Sequence, residues 1–593
     1  MFHKTSPIFV IGATGYIGGR LVARLLEQGY NVCAAGRNLL KLKDRPWAKH
    51  PNVQLIEVNA FNQLGLIKAV AGCSIAYFLI PLKANIEKTS LDSNHHVLTN
   101  IALLAKESSL KQIIILQDFD QSATTTNQQS KRIQEFKKGT LFDSLPITLI
   151  QTTTIIGSGS TSFEILRYLT DHARLLLTPR WTRIPCQPIS IVNVVDYLIQ
   201  CHQIPETIGK TLNICGPDTV TYQQMMKIYE VEAGLSKRWI IPVPFYLFRL
   251  SVYWIHLMTP VPIRFARLLV KQLHLQKISL NKLTQQLIPL DLISCREVCR
   301  RATNRVIENQ VETHWMDSGR IPAIERALED ESVWGDDKLF KDKRDLLIDA
   351  TQEDVWQSVA RIGGSTGWYY GNWLWKLRGF LDRLVGGVGA LRGRRHPNEL
   401  RLGDALDVWR VKILEPSYRL MLVAEMKLPG QAILDFSLET MASGKTKLKQ
   451  TALFSAKGIP GFLYWYSVLP FHAFIFEGML QGIAKATRLS YRYSYEVKAM
   501  LKMGAISEEI QILNLSLQGC KILKTSRISY RRGLRLILKA PQPVEVSVQI
   551  IDGNKSFNGF SYSLKFLAIN SVFKNWLDLT IQNLKQSIES GDS

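Results

Sequence analysis

Short apolar runs alternate with amphipathic stretches along the first part of the chain. Residues 8–11, Ile-Phe-Val-Ile, are apolar without interruption, which is typical of a parallel strand buried on both faces. In residues 17–26 the apolar positions recur at the spacing that gives a helix one apolar stripe. The alternation predicts further strands at 31–36, 53–58, 74–81 and 112–116, and helices at 62–71 and 97–107. This pattern predicts an α/β domain with a doubly wound parallel sheet.

Beyond residue 300 the apolar period changes from helical to alternating. Consecutive strands are predicted at 405–413, 419–426, 432–439 and 446–454, followed by a long helix at 463–486. Strands that enclose a terminal helix are typical of an α+β helix-grip fold. A further series of strands predicts a small β-barrel. These strands lie at 493–503, in a stretch that leads into 514–519, and at 533–539, 544–551 and 559–566. We therefore expect three domains, at 1–300, 301–486 and 487–593.

A glycine-rich turn joins the first predicted strand to the first helix. Its sequence, Gly12-Ala13-Thr14-Gly15-Tyr16-Ile17-Gly18, has the spacing G-x-x-G-x-x-G. Glycines at these positions permit a tight turn, a close approach of backbone to pyrophosphate, and close contact between helix and strand. We expect a Rossmann domain that binds a nicotinamide dinucleotide. The predicted cofactor-binding residues of the turn are Gly12, Thr14, Gly15, Tyr16, Ile17 and Gly18.

Two residues that follow later strands bear on which dinucleotide binds. Arg37 ends the second strand, where an acidic residue would bind a ribose hydroxyl, and a cation there suits a 2′-phosphate. This favours NADP over NAD, and an ordinary exposed arginine is the alternative interpretation of Arg37. Asn59 follows the third strand, where aspartate is common, and is expected to hydrogen-bond adenine.

The first half of the chain resembles the NmrA-like, atypical branch of the short-chain dehydrogenase superfamily, which includes proteins similar to nucleoside-diphosphate-sugar epimerases. Besides the glycine turn, the resemblance rests on Ala76–Pro81, on 155–160 and on 187–194. The first of these segments matches the strand and turn that line the cofactor in that branch. The resemblance therefore implies that Leu79 and Pro81 contact the cofactor.

The catalytic pair of that superfamily has no counterpart here. The family uses Tyr-x-x-x-Lys, whose lysine lowers the tyrosine pKa so that the phenolate acts as a base. No tyrosine in this sequence has a lysine four residues later, and 121–140 contains Ser130 and Lys131 but no tyrosine. The catalytic residues stay unknown. The first hypothesis is an oxidoreductase using NADPH on a small or apolar substrate, and the second is a non-catalytic regulator.

The middle domain resembles the uncharacterised domain often fused behind NmrA-like domains, which belongs among the START and Bet v 1-like folds. Segments 362–369, 381–387 and 429–430 carry the resemblance. Such folds usually enclose an apolar cavity, so an apolar small-molecule ligand is expected there. Plain core packing is the alternative role of the tryptophans that would line the cavity, Trp368, Trp373, Trp375, Trp409 and Trp465. The basic run 392–396, with Arg392, Arg394, Arg395 and His396, is most simply a solvated loop, and contact with an anionic partner is the alternative interpretation.

The C-terminal segment resembles the PilZ domain, a family that binds cyclic di-GMP. Arg488 and Arg492 form R-x-x-x-R, and Asn514, Ser516 and Gly519 form N-x-S-x-x-G. The resemblance implies that both motifs contact the ligand. Guanidinium groups pair with phosphates and guanine edges, while small residues let the ligand approach the barrel. We expect cyclic di-GMP to be a ligand of this domain, and the protein to be bacterial.

Composition limits the remaining choices. The 593 residues are 46% hydrophobic and 21% charged, with a net charge of +23, which favours anionic partners. No nucleic acid is expected, because the sequence has neither a helix-turn-helix nor an aromatic-basic repeat. The N-terminus lacks the apolar core of a signal peptide, which favours the cytoplasm. Segments 239–258 and 462–476 are predicted as core or amphipathic helices, with a peripheral membrane contact left open. No metal is expected.

Overall fold

Two compact units make up the chain in the computed structural model. The N-terminal unit comprises Met1–Ile321, Arg378–Arg392 and Arg401–Val408, and the C-terminal unit comprises Pro322–Leu377, Gly393–Leu400 and Trp409–Ser593. The structure describes residues 6–80, 88–118, 145–172, 175–242, 259, 261, 282–307, 311–318, 339–364, 366–396, 398–490, 493–503, 506–516, 519–524, 534–538, 544–556, 559–568 and 571–590. The expected boundaries at 300 and 486 stay predictions.

A seven-stranded parallel sheet organises the N-terminal unit. Its strands are β1 (Ile8–Ile11), β2 (Val32–Gly36), β3 (Val53–Glu57), β4 (Ile75–Phe78), β5 (Gln112–Asp118), β6 (Ile147–Thr152) and β11 (Thr211–Ile214). Their order in the sheet is β11-β6-β5-β4-β1-β2-β3. All the pairs are parallel, so the predicted doubly wound sheet is confirmed.

Helices cover both faces of this sheet because its strands are apolar on both sides. Val10 and Tyr77 lie in the core on one face, whereas Phe9 and Phe78 lie in the core on the other. The helices of the unit are α1 (Tyr16–Glu27), α2 (Leu39–Lys43), α3 (Gln63–Ala69), α4 (Lys88–Glu107), α5 (Thr161–His172), α6 (Ile191–Gln203), α7 (Tyr222–Glu232), α8 (Lys282–Leu287) and α9 (Cys295–Ile307).

Short strands build a second part of the N-terminal unit beyond β6. The pairs are β7 (Ile155–Ile156) with β10 (Ile189–Ser190), β9 (Pro185–Cys186) with β12 (Val220–Thr221), and β8 (Leu175–Thr178) with β13 (Trp239–Pro242). The segment 239–258 was expected to be helical, and this is wrong for its first four residues, which pair as β13. Its remainder lies outside the described residues.

An antiparallel sheet and a long helix begin the C-terminal unit. Strands β14 (Leu339–Ile348), β16 (Trp409–Glu415), β17 (Arg419–Ala424), β18 (Gly430–Thr440) and β19 (Thr446–Ala456) run in the order β14-β19-β18-β17-β16. Helices α10 (Gln352–Ala360) and α12 (Gly458–Ser490) flank it, while β15 (Ala405–Leu406) and α11 (Asn372–Leu384) include residues of the N-terminal unit. The predicted strands and long helix are therefore present.

A closed barrel of six antiparallel strands follows α12. Its strands are β20 (Tyr493–Met503), β21 (Ile506–Ser516), β22 (Gly519–Lys524), β23 (Leu534–Leu538), β24 (Val544–Ser556) and β25 (Gly559–Ala568), in the order β20-β21-β22-β25-β24-β23. The final helix, α13 (Ser571–Ser590), packs Phe573, Leu577 and Ile581 into the barrel core. The small barrel predicted from the alternating pattern is confirmed.

Candidate functional site

The carboxyl ends of β1 to β4 meet at one edge of the parallel sheet. Ile11, the last residue of β1, is aligned with Ala35 of β2 on one side and with Phe78 of β4 on the other. Since β1 has β2 and β4 as its neighbours, the direction of winding reverses beside it. Ligands of doubly wound sheets bind in the crevice at such a reversal. The turn after β1 therefore lies where a dinucleotide would be held.

Backbone hydrogen bonds fix the glycine turn against this edge. The N–H groups of Gly12 and Ala13 both donate to the Ala35 carbonyl, at 3.1 and 3.2 Å. Gly12 has a φ of 92°, which favours glycine, and its carbonyl accepts the N–H of Gly15 at 2.9 Å. Tyr16 then begins α1, so the first-turn N–H groups of the helix point toward the edge.

Side chains are excluded at two of the three glycines by neighbouring backbone. A Cβ atom at Gly18 would lie 2.2 Å from the Gly12 carbonyl oxygen, and one at Gly12 would lie 2.8 Å from the Leu79 carbonyl oxygen. The helix can approach the strand this closely only because these positions lack a Cβ. This cradle and the dipole of α1 fit a pyrophosphate, with the N–H groups of Tyr16 and Ile17 as the donors. Thr14 lies in the same turn.

The remaining predicted cofactor residues surround the cradle where the structure describes them. Arg37 is exposed directly after β2, and Asn59 is exposed after β3. The Asn59 side-chain oxygen accepts the N–H of Phe61 at 3.2 Å, so its amide nitrogen is the group suited to bonding adenine. Leu79 follows β4 and donates its N–H to the Ile11 carbonyl at 3.1 Å. Pro81, Ser130 and Lys131 lie outside the described residues.

Tyr16 faces away from the edge and packs under the segment 155–160. A Cβ at Gly157 would lie 2.7 Å from the Tyr16 hydroxyl oxygen, and the Arg20 guanidinium lies 5.0 Å from the centre of the Tyr16 ring. Arg20 also donates to the Ser158 carbonyl at 3.0 Å. Burial raises the pKa of Tyr16, so its phenol stays protonated at neutral pH.

A buried ion pair that the sequence did not indicate supports the turn. Arg45 follows α2, and its guanidinium donates to the Thr14 carbonyl at 2.9 Å. The same side chain pairs with Asp317 at 3.1 Å, and both side chains are buried. Asp317 in turn accepts the N–H of His314 at 2.8 Å. Since 272 residues separate Arg45 from Asp317, no local pattern could reveal this contact.

The segment 311–318, which contains Asp317, also holds α1 directly. The Thr313 hydroxyl donates to the Tyr16 carbonyl at 2.8 Å and accepts the Arg20 Nε–H at 2.9 Å. The N–H of Trp315 donates to the Gly159 carbonyl at 2.9 Å. This segment lies beyond the expected boundary at 300, and the N-terminal unit includes it. The residues that shape the turn therefore extend past the predicted domain.

The C-terminal motif residues close a hairpin of the barrel. The Ser516 hydroxyl donates to the Gly519 carbonyl at 3.0 Å and accepts the Gly519 N–H at 3.2 Å. A Cβ at Gly519 would lie 2.0 Å from the Leu564 carbonyl oxygen, so glycine is required there. Asn514 lies on β21, half-buried. Arg488 belongs to α12, and its side chain and the whole of Arg492 lie outside the described residues.

Three tryptophans of the C-terminal unit form one aromatic cluster. The rings of Trp368 and Trp375 stack at 4.8 Å, and Trp409 lies 6.1 Å from Trp368. Trp465 stacks instead on Phe454. These four tryptophans contact other aromatic rings, whereas Trp373 is exposed.

The basic run 392–396 is not a solvated loop. Arg392 and His396 are buried, and the Arg394 guanidinium donates to the carbonyls of Ile362 and Glu399 at 2.8 and 3.2 Å. The expectation was wrong because Arg392 and His396 are buried and the Arg394 guanidinium bonds to backbone oxygens. Among the residues that the structure describes, no group of three or more His, Cys, Asp or Glu side chains is placed to hold a metal ion.

Family comparisons agree with the geometry of the edge. Residues 12–145 match a family described as NAD(P)H-binding, and this match begins at Gly12 of the cradle. The N-terminal unit contains an NAD(P)-binding Rossmann fold. Residues 334–479 match a second family, described as "Protein of unknown function (DUF2867)". No curated protein matches the chain.

Solved structures similar to about half of the chain include sugar-nucleotide epimerases. A nucleoside-diphosphate-sugar epimerase from Staphylococcus aureus is 17% identical, covers 50% of this chain and 99% of its own, and has a TM-score of 0.39. Bordetella bronchiseptica WbmF, solved with NAD+ and UDP, is 15% identical with coverages of 52% and 95% and a TM-score of 0.38. UDP-glucuronic acid 4-epimerase from Bacillus cereus, solved with NAD, is 14% identical with coverages of 50% and 96% and a TM-score of 0.36.

Replacing Gly18 by alanine tests whether the cradle must be free of side chains. The added Cβ must displace the Gly12 carbonyl, and such overpacking costs about 1–3 kcal/mol. If the strain shifts the turn, NADPH affinity falls roughly fivefold to a hundredfold. Titration calorimetry with NADPH measures this directly.

The matched control is Gly29→Ala at the other end of α1. Gly29 has a φ of 81° and nothing within 4 Å of its added Cβ, so only local strain of about 1 kcal/mol is introduced. Affinity for NADPH should then be unchanged. Equal loss in both variants, or no loss in Gly18→Ala, would contradict the role of the cradle.

Proposed function

We propose that the N-terminal unit binds NADP and is an oxidoreductase acting on a small or apolar substrate. The observation that carries the proposal is the glycine cradle at the reversal of the sheet, with Arg37 exposed after the adjacent strand. When bound, the nicotinamide would supply hydride-transfer chemistry. The chain would contribute the cradle for the pyrophosphate, Asn59 for adenine and Leu79 as a wall of the crevice.

The preference for NADP rests on the charge of the residue after β2. An acidic side chain at this position bonds the ribose hydroxyls of NAD, whereas an arginine attracts the 2′-phosphate of NADP. Arg37 occupies it. NAD remains the second choice of cofactor, because the cradle itself would bind the pyrophosphate of either dinucleotide.

A non-catalytic regulator is the second candidate, and one observation favours it. The sequence lacks the Tyr-x-x-x-Lys pair that would supply a base. In this alternative, the binding of dinucleotide controls a partner. Substrate-dependent oxidation of NADPH separates the two candidates.

Cyclic di-GMP is the ligand proposed for the barrel. The support is the order of the two motifs and the register of the first strands. Tyr493, which directly follows Arg492, pairs with Leu515, between Asn514 and Ser516. The start of β20 and the N-x-S end of β21 therefore lie side by side. An arginine pair that precedes β20 in the sequence would suit the two phosphates and two guanines of the ligand.

An apolar ligand bearing one hydrogen-bond acceptor is proposed for the aromatic cluster. The indole N–H groups of Trp375 and Trp409 are buried, and neither has a hydrogen-bond partner in the described part of the chain. An oxygen of a ligand would accept from these donors, while the stacked rings would contact its apolar surface.

Replacing Arg37 by alanine tests the choice of dinucleotide. Hydrogen bonds to charged groups contribute about 1.5–3 kcal/mol, so NADP affinity should fall roughly tenfold to a hundredfold while NAD affinity is unchanged. Arg24→Ala removes an exposed arginine from the last turn of α1 and should affect neither ligand. Equal affinities of Arg37→Ala and the parent chain for NADP would contradict the assignment.

Cyclic di-GMP binding is tested by calorimetry on the full chain and on Arg488→Ala/Arg492→Ala. Saturable binding is expected for the parent chain and its loss in the double variant, because the phosphates would lose their cationic partners. Arg535→Ala is the matched control, since Arg535 is an exposed barrel arginine paired with Glu545 at 3.1 Å. Absence of binding by the parent chain would leave the barrel without this ligand.

A further inference from the structure

The first half of α12 presents an exposed apolar stripe. Ile459, Leu463, Tyr466 and Phe474 are 76%, 68%, 60% and 45% exposed. Their spacing places them along one side of the helix. Residues 458–476 contain no aspartate, glutamate, lysine or arginine. A surface helix of a soluble domain ordinarily carries charged side chains on its outer face, so this stripe needs a covering environment.

The opposite side of the same helix is packed on its own sheet. The Trp465 ring stacks on Phe340 of β14 at 5.1 Å and on Phe454 of β19 at 5.9 Å. Phe476 is also buried. The residues of the stripe are exposed, whereas Trp465 and Phe476 of the same helix are already buried. The stripe is therefore not part of the face of α12 that packs on the protein core.

The stripe ends abruptly halfway along the helix. From Glu477 onward the exposed positions are polar, with Gln481 and Lys485 following at helical spacing. Gln481 donates its side-chain N–H to the Glu477 carboxylate at 3.1 Å. The second half of α12 therefore has an ordinary polar surface, and the exposed apolar residues are confined to its first half.

Length and composition would allow α12 to cross a bilayer, since Gly458–Thr487 reaches a mean hydropathy of 1.3 over an 18-residue window, 17% of which is buried. Its contacts favour lying along a surface instead. The Arg344 guanidinium of β14 donates to the Ala473 carbonyl at 2.9 Å, and the Thr487 hydroxyl donates to Ser358 at 2.9 Å. Crossing would break these contacts and the Trp465 stack, and would draw Arg344 into hydrocarbon.

Positive charge lies at the start of the stripe. Lys457 directly precedes α12 and is exposed, and its N–H donates to the Pro429 carbonyl at 3.0 Å. Lys427, two residues before Pro429, is also exposed. With a net charge of +23 over the chain, this end of the helix is complementary to an anionic surface.

We propose that α12 docks the protein on the surface of an anionic lipid bilayer. Ile459, Leu463, Tyr466 and Phe474 enter the boundary between headgroups and acyl chains, and Lys427 and Lys457 face lipid phosphates. Aromatic side chains favour this depth, and apolar burial together with attraction to anionic lipid sets the strength of such interfacial helices. The contact leaves the packed face of α12 in place, and it is independent of the dinucleotide site.

Sedimentation of the full chain with lipid vesicles tests the proposal. Binding is expected to vesicles of phosphatidylcholine mixed with phosphatidylglycerol, and to be much weaker with phosphatidylcholine alone. Leu463→Glu and Phe474→Glu should each reduce the bound fraction about tenfold, because each removes apolar burial and adds repulsion. Lys457→Glu should weaken binding to the anionic vesicles specifically.

Leu579→Glu on α13 is the matched control, since Leu579 is 59% exposed and lies away from the stripe in sequence. It should bind as the parent chain does, and all variants should keep the parent circular dichroism and NADPH affinity. The proposal is overturned if the parent chain ignores anionic vesicles, or if the stripe variants bind undiminished. It is also overturned if light scattering shows a lipid-free dimer that Leu463→Glu dissociates, because a second copy would then cover the stripe.

Discussion

The close approach of α1 to β1 determines what the N-terminal unit can do. The Gly12 carbonyl lies where a Cβ of Gly18 would have to be, so the helix begins in contact with the end of the strand. This contact points the first-turn N–H groups of α1 at the edge where β2, β3 and β4 also end. Arg37, Asn59 and Leu79 take their positions around the cradle from the registers of those strands. The pyrophosphate cradle thus depends on one backbone contact, and the residues around it depend on the strand registers.

Distant residues hold that contact in place. Arg45 bonds the Thr14 carbonyl and forms a buried pair with Asp317, while Thr313 bonds the Tyr16 carbonyl. Loss of one partner of a buried ion pair typically costs about 3–5 kcal/mol, because the other charge is left uncompensated. The segment 311–318 therefore supports the glycine turn directly, although it is far from that turn in the sequence. Its ordering and that of the turn should be coupled.

Local patterns in the sequence were sufficient for β1 to β5, for β16 to β19, for five of the six barrel strands and for the cradle, whereas β6, β11, β14 and β22 were not predicted. Uninterrupted apolar runs predicted buried parallel strands, alternation predicted the antiparallel sheet and the barrel, and glycine spacing located the turn. The Arg45–Asp317 pair could not be predicted from local patterns, because the buried charge of Arg45 has its partner hundreds of residues away in the sequence. The run 392–396 was misjudged for a related reason: the Arg394 guanidinium bonds to the carbonyl of Ile362, which lies 32 residues earlier in the chain. Ser516 and Gly519, selected for ligand binding, also close a hairpin.

Hydrogen–deuterium exchange of the full chain, with and without NADPH, tests the central claim most directly. Binding at the cradle should slow exchange in peptides covering residues 12–18, where the ligand would accept hydrogen bonds from the backbone. Peptides covering 311–318 should slow as well, since Thr313 and Asp317 support that turn. Unchanged exchange at 12–18 with saturating NADPH, or protection confined to other parts of the chain, would contradict the account.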